Sequence, residues 1–156
     1  MALKRLLKEF KNIDYNYFYS CMPQNDNILI WDFTMIGPPD TLYEGGIFNG
    51  SIICPANYPN EPPVVKFKKI LHPNIFENGT VCISILHAGS DAYGYEKDGE
   101  RWNPSHSINS IMLSILSMLS APNFDSPANI TASVTWKDNP EKYKKMVYSM
   151  VALSQK

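Results

Sequence analysis

The residues in this chain with chemistry to offer are three thiols, Cys21, Cys54 and Cys82, and three imidazoles, His72, His87 and His106. Cys82 stands out by its surroundings. It falls ten positions after His72 and three after an Asn-Gly pair, in HPNIFENGTVCISIL at residues 72–86. Four uses of its sulfur compete: a metal ligand, a hydrolase nucleophile, a buried structural thiol, and a carrier that holds an acyl group for transfer.

Metal binding finds little support, because zinc sites are normally built from close ligand pairs and the chain has neither C-x-x-C nor H-x-x-x-H. No metal and no cofactor is expected. A cysteine hydrolase needs an imidazole within hydrogen-bond reach of the sulfur and a third group to orient it. His72 and His87 are candidates by distance along the chain. Against this reading, TVCISIL reads as an extended segment leaving a turn, whereas a helix amino terminus would better activate the thiol. Free cysteine is among the most buried residue types, and Cys21 and Cys54 read as buried structural thiols. His72 can be read as the anchor of a turn, and Asn74 as a turn former whose side chain mimics backbone. Taken singly, none of these residues selects one chemistry.

The elements that must position them belong to an ordinary globular chain of 156 residues, 44% apolar and 19% charged, expected to form one domain with a core that needs no staples. A net charge of −1 with no basic stripe argues against nucleic acid as a partner. Three widely spaced cysteines argue against a disulfide scaffold and for a reducing compartment. The amino terminus mixes charged and apolar residues too closely for a signal peptide, and no run approaches the roughly 18 apolar residues of a membrane span.

In ALKRLLKEFKN, Leu3, Leu6, Leu7 and Phe10 share one helical face, and Lys4, Arg5, Lys8 and Lys11 cover the other. That basic face is either solvated surface or a docking face for an acidic partner. NILIWDFTMIGP alternates Leu29, Trp31, Phe33 and Met35 against Asp32 and Thr34, as a half-buried strand does. GPPD at 37–40 is a turn. GGIFNGSIICP, with Phe48, Ile52 and Cys54 inward, and PPVVKFKKI read as two more strands. Their short connections suggest an antiparallel meander.

After His87 the stretch to His106 shows no periodicity, and loops of that length are usually functional or disordered. SINSIMLSILSMLS reads as a buried helix capped by Ser107, and PNFDSPAN follows as a loop. The last segment begins with Asp138 and Glu141 in capping-box spacing and shows Tyr143, Met146, Val147, Met150 and Val151 on one face. The sum is an α+β domain.

Read together, these segments are specific. GPPDTLYEGGIF at 37–48, YPNEPPVVKF at 58–67, HPN at 72–74, NGTVCISIL at 78–86, W-x-P at 102–104 and ILSMLSAPNFDSPAN at 115–129 occur in an order and spacing that resembles the ubiquitin-conjugating enzymes over almost the whole chain. The loop ending YGYEKDGERW resembles the branch with an acidic insertion beside the cysteine, which builds degradative chains and in several members serves endoplasmic-reticulum-associated degradation. The resemblance implies one catalytic domain over residues 1–156. Its fold would be a four-stranded antiparallel meander flanked by an amino-terminal helix, a central helix and two carboxy-terminal helices.

It also implies that Cys82 takes ubiquitin's terminal carboxyl group as a thioester from the activating enzyme, in an ATP-dependent pathway, and passes it to lysines of protein substrates or of ubiquitin. Such a carrier needs no histidine beside its sulfur. Asn74 would meet the oxyanion, and His72 would fix the turn that presents it. The lysine would be assisted by His87, Asp91 or Asp125. Many family members have an acidic residue where Ser126 stands, which shifts that task to Asp125 and the loop. Lys4, Arg5 and Lys8 match the docking face for the activating enzyme. A ring-type ligase would grip Tyr58–Pro62, with Pro59 and Asn60, and Trp102–Ser105, with Trp102, Pro104 and Ser105. Many members carry a bulky apolar residue at the place of Asn60. The expected location is cytoplasmic, with a partner for any recruitment to the cytosolic face of the endoplasmic reticulum. A catalytically inactive binding module is the second reading, but such variants usually lack the cysteine; a thiol hydrolase is the third.

Overall fold

A computed structural model describes residues 1–156, the side chain of Asp98 excepted. Helix α1 (Ala2–Lys11) leads into strands β1 (Tyr19–Gln24), β2 (Asn27–Ile36), β3 (Ile47–Ile53) and β4 (Val64–Phe67). Helices α2 (Ile108–Ser120), α3 (Ile130–Asp138) and α4 (Pro140–Ser154) follow. Neighbouring strands pair in chain order, all antiparallel. This is the four-stranded meander with four helices that the sequence leads one to expect. No helix of the described residues is long and apolar enough to cross a membrane.

Register decides what the sheet buries. Trp31 faces Ile52, which faces Val65; Phe33 faces Gly50, which faces Phe67. These residues are all buried, in one core with Ile108, Ile111, Met112, Ile115 and Leu119 of α2. Gly50 is a glycine for want of room, since a Cβ there would lie 2.4 Å from the Phe33 ring and 2.3 Å from the Lys66 carbonyl oxygen. Strand β1 is the one that alternation does not announce. It contains Pro23, tolerated because β1 is an edge strand, where a missing N–H leaves no ladder bond unmade.

Two helical expectations need correction. On α1 the residues turned inward are Ala2, Leu6 and Phe10, spaced i, i+4, i+8, while Leu3 and Leu7 are 56% and 45% exposed. The helix is rotated because Arg5 and Glu9 also have partners on the protein side. Arg5 donates to the carbonyls of Pro104 and His106 at 2.9 and 2.7 Å. Glu9 accepts from Tyr58 Oη at 2.6 Å and from the Ile108 N–H at 2.7 Å. On α4 the cap is Asn139, which accepts from the Lys142 N–H; Asp138 is the last residue of α3. Pro140 explains this, because a proline at the first helical position puts the cap one residue before it. Met146, expected inward, is 40% exposed. At α2, Ser107 caps as expected, in a reciprocal box with Ser110.

Candidate functional site

Cys82 sits on the return arm of a tight hairpin docked against β4. The Phe67 N–H donates to Gly79 O, the Val81 N–H to Val65 O, and the Cys82 N–H to Asn74 O, each at 2.9 Å. Gly79 has φ +95°, and a Cβ there would lie 2.0 Å from Phe67 O, so this turn demands glycine. The chain leaves Cys82 in extended backbone and enters a 3-10 turn at Ser84–Leu86. Of the three free thiols, Cys21 and Cys54 are buried and Cys82 is partly exposed. Burial, then the charge of Glu9, pushes the Cys21 and Cys54 thiols up to about 12.

One side of the sulfur is a wall of neutral hydrogen bonds. The His72 ring is fully buried; its Nδ1 accepts from the Asn74 N–H at 2.9 Å, so Nε2 bears the proton and donates to Met118 O at 3.0 Å. Burial lowers its pKa to about 4, against the raising effect of the Met118 carbonyl. The Asn74 amide grips the backbone of Asn123 reciprocally: Nδ2 donates to its carbonyl and Oδ1 accepts from its N–H, both at 2.8 Å. That pairing fixes which end of the amide is which. One Nδ2 proton is committed to Asn123 O. Pro73 O accepts from the N–H groups of Ala128 and Asn129 at 2.8 and 2.9 Å.

The other side is charged. His87 Nε2 stands 3.6 Å from the Cys82 sulfur, and its Nδ1 lies 2.9 and 3.1 Å from the two carboxylate oxygens of Glu96. Arg101 Nη1 bonds Glu96 Oε1. Arg101 also donates from Nε to Gly89 O and from Nη2 to Ala88 O, both at 2.7 Å. Asp91 accepts from the N–H groups of Tyr93 and Glu96 at 2.9 Å each, and these bonds hold its carboxyl below the usual range. Both its oxygens are thus occupied in shaping the loop. Burial pushes the Glu96 carboxyl up, but hydrogen bonds from Ser84 and His87 and the neighbouring Arg101 charge outweigh it, leaving a net lowering.

Sequence reasoning asked for no imidazole beside the sulfur; the structure puts one there, with a carboxylate behind it. Even so, the thiol is not activated as in a hydrolase. Burial and then the Glu96 charge raise the Cys82 pKa and so disfavour its thiolate. Glu96 lies beyond the ring from the sulfur, and no group of three or more metal-ligating side chains converges among the described residues.

These walls enclose an open cleft of about 930 Å³ that brings Cys82, Asn74, His87, Asp91 and Asp125 together, with Ser126 beside them. Asp125 is exposed at its rim. His72 lies behind the cleft and does not line it, and His106 turns away, donating from Nε2 to Arg101 O at 3.1 Å. Glu96, Arg101 and Asn123 were missed: the two side chains read as solvated loop, and Asn123 acts through its backbone, which side-chain patterns do not report.

The remaining residues form a separate patch. Trp102 is buried and donates from Nε1 to Pro59 O at 2.8 Å, and its ring lies 5.7 Å from that of Tyr58. Asn60, Pro104 and Ser105 are exposed around it. Lys4 and Lys8 project freely from α1, but Arg5 is fastened inward to the Pro104 loop.

A profile of the family "Ubiquitin-conjugating enzyme" matches residues 5–151. The chain is 48% identical over 157 aligned residues to Ubiquitin-conjugating enzyme E2 7 of Arabidopsis thaliana, covering 99% of this chain and 95% of that protein. It is 44% identical to Probable ubiquitin-conjugating enzyme E2 7 of Caenorhabditis elegans, over 99% and 96% of the two chains. To Ubiquitin-conjugating enzyme E2 G2 of Homo sapiens it is 42% identical, over 98% and 96%.

Proposed function

The chain belongs to the ubiquitin-conjugating enzyme family, and from that premise we propose that Cys82 accepts ubiquitin as a thioester and gives it up to a lysine amine. The observation that carries this reading is the contrast among the thiols: one faces an open cleft beside an imidazole, and two are sealed in the core. On charging, the sulfur attacks the thioester of the activating enzyme. The new S–C bond forms, the donor thiol leaves, and the Cys82 proton goes to His87 Nε2 or to that departing thiolate. On transfer, the amine attacks the same carbonyl, the C–S bond breaks with Cys82 leaving as a thiolate, and the proton shed by the amine ends on that sulfur.

Asn74 supports the oxyanion with its second Nδ2 proton, the one not bound to Asn123. His87, with Asp91 and Asp125 nearby, receives the lysine, whose ordinary pKa of ~10.4 makes proton removal part of the barrier. The acidic side chains of Asp91, Glu96 and Glu100 along the cleft suit a cationic acceptor and favour the branch that builds degradative chains, feeding the proteasome. Lys4 and Lys8 receive the activating enzyme, with Arg5 shaping the loop they adjoin. A ring-type ligase binds Pro59, Asn60, Trp102, Pro104 and Ser105. The enzyme works in the cytoplasm, brought to the endoplasmic reticulum by a partner where needed.

The test is a charging gel with activating enzyme, ATP and ubiquitin. A reductant-sensitive adduct is expected and should vanish completely in Cys82→Ala. An adduct that survives this substitution, or none with the unmutated protein, refutes the reading.

A further inference from the structure

A carboxylate accepts hydrogen bonds and cannot donate them. Since both Glu96 oxygens lie within 3.1 Å of His87 Nδ1, the ring proton sits on Nδ1. A neutral ring then presents a bare Nε2, and that atom is the one 3.6 Å from the sulfur. Glu96 is itself held at two further points, and one of its holders is fastened in turn. Its backbone N–H is bound by Asp91, its Oε1 by Arg101, and Arg101 is anchored to two loop carbonyls. The carboxylate therefore cannot swing away from the ring without breaking the loop's own bonds.

From this arrangement we infer that Glu96 is a positioning residue for ubiquitin transfer: it holds the His87 ring in its Nδ1–H form and turns an unprotonated Nε2 toward the acyl group and the incoming amine. The inference rests on the reading that Cys82 carries the acyl group and His87 serves the acceptor. Glu96 does not touch the reacting atoms. It acts through the ring, as the buried carboxylate of a catalytic triad does, where loss of the correct tautomer is costly. Amine attack on the thioester forms the C–N bond and breaks the C–S bond. The proton shed by the nitrogen moves to Nε2 and returns to the Cys82 sulfur, so the ring ends as it began.

The experiment follows discharge of purified, ubiquitin-charged enzyme to free lysine in a single turnover, for the unmutated protein, His87→Ala, Glu96→Ala and the double variant. His87→Ala should slow discharge by about 10²-fold, the low end for a positioned acid–base group. Glu96→Ala should lose a comparable factor, and the double variant should be no slower than His87→Ala alone. In parallel, ¹⁵N shifts of the His87 ring should show a protonated Nδ1 and a bare Nε2 in the unmutated protein, with the Nε2–H form gaining population in Glu96→Ala. Wild-type discharge by His87→Ala would overturn the reading beneath. Slow His87→Ala would leave that reading standing, and this inference would then be overturned by any of three results: wild-type discharge by Glu96→Ala, multiplying effects in the double variant, or an unaltered ring tautomer.

Discussion

The two walls of the cleft are made of opposite materials. The wall of His72, Asn74 and the Asn123 backbone is uncharged, with His72 and Asn74 buried, and its bonds reach from one part of the chain to another nearly fifty residues away. The wall of His87, Glu96 and Arg101 is partly solvated and charged, and its bonds stay within one loop. A buried neutral network is unaffected by salt and intolerant of a missing member. An ion pair confined to one loop adds little to the stability of the whole fold and responds to its surroundings. On the proposed mechanism, the side that meets the developing charge is thus tied across the fold, and the side that receives the acceptor is tied only within its own loop.

The most severe way to break this contrast is Asn74→Ala. Loss of an oxyanion donor costs about 10²–10³ in rate, so discharge to free lysine should slow by that factor while charging persists. Equal discharge rates would show that Asn74 only fastens Asn123. Next in size is a pH effect on stability from His72. Below its ordinary 6.5 the unfolded chain takes up a proton that the folded ring refuses until about 4. The stabilisation is therefore complete above pH 6.5 and is lost as pH falls toward 4, by on the order of 3 kcal/mol. Urea midpoints across that window should show the slope, and His72→Gln should flatten it from a lower baseline. The smallest effect is expected at the charged wall: Arg101→Ala should lower stability by less than about 1 kcal/mol. A loss of several kcal/mol on denaturant titration would mean that this wall is structural after all.

How much of this was readable from the chain divides along similar lines. Strands β2 to β4 were legible because one side of each is buried, which forces alternation on Trp31, Phe33, Met35, Phe48, Ile52, Val65 and Phe67. Strand β1 was not, because an edge tolerates Pro23 and a weak pattern. The rotation of α1 was hidden because polar side chains, Arg5 and Glu9, compete with leucines for the inward side. Within the cleft, Cys82, Asn74 and His87 were nameable from motif and residue type. The partnership of His87 with Glu96 was not, since nothing in an aperiodic loop tells which carboxylate folds back. Asn123 was beyond reach, because its contribution is a peptide unit and any residue could supply it.

The bond pair between Asn74 and Asn123 has a consequence for the newly made chain. The hairpin bearing the thiol is complete on the ribosome well before residue 123 emerges, yet the amide has nothing to hold until α2 has packed and delivered that peptide. A nascent or partly unfolded molecule thus owns a sulfur without an ordered donor beside it. Under the role proposed for Asn74, transfer from the thiol waits until α2 has packed and residue 123 is in place.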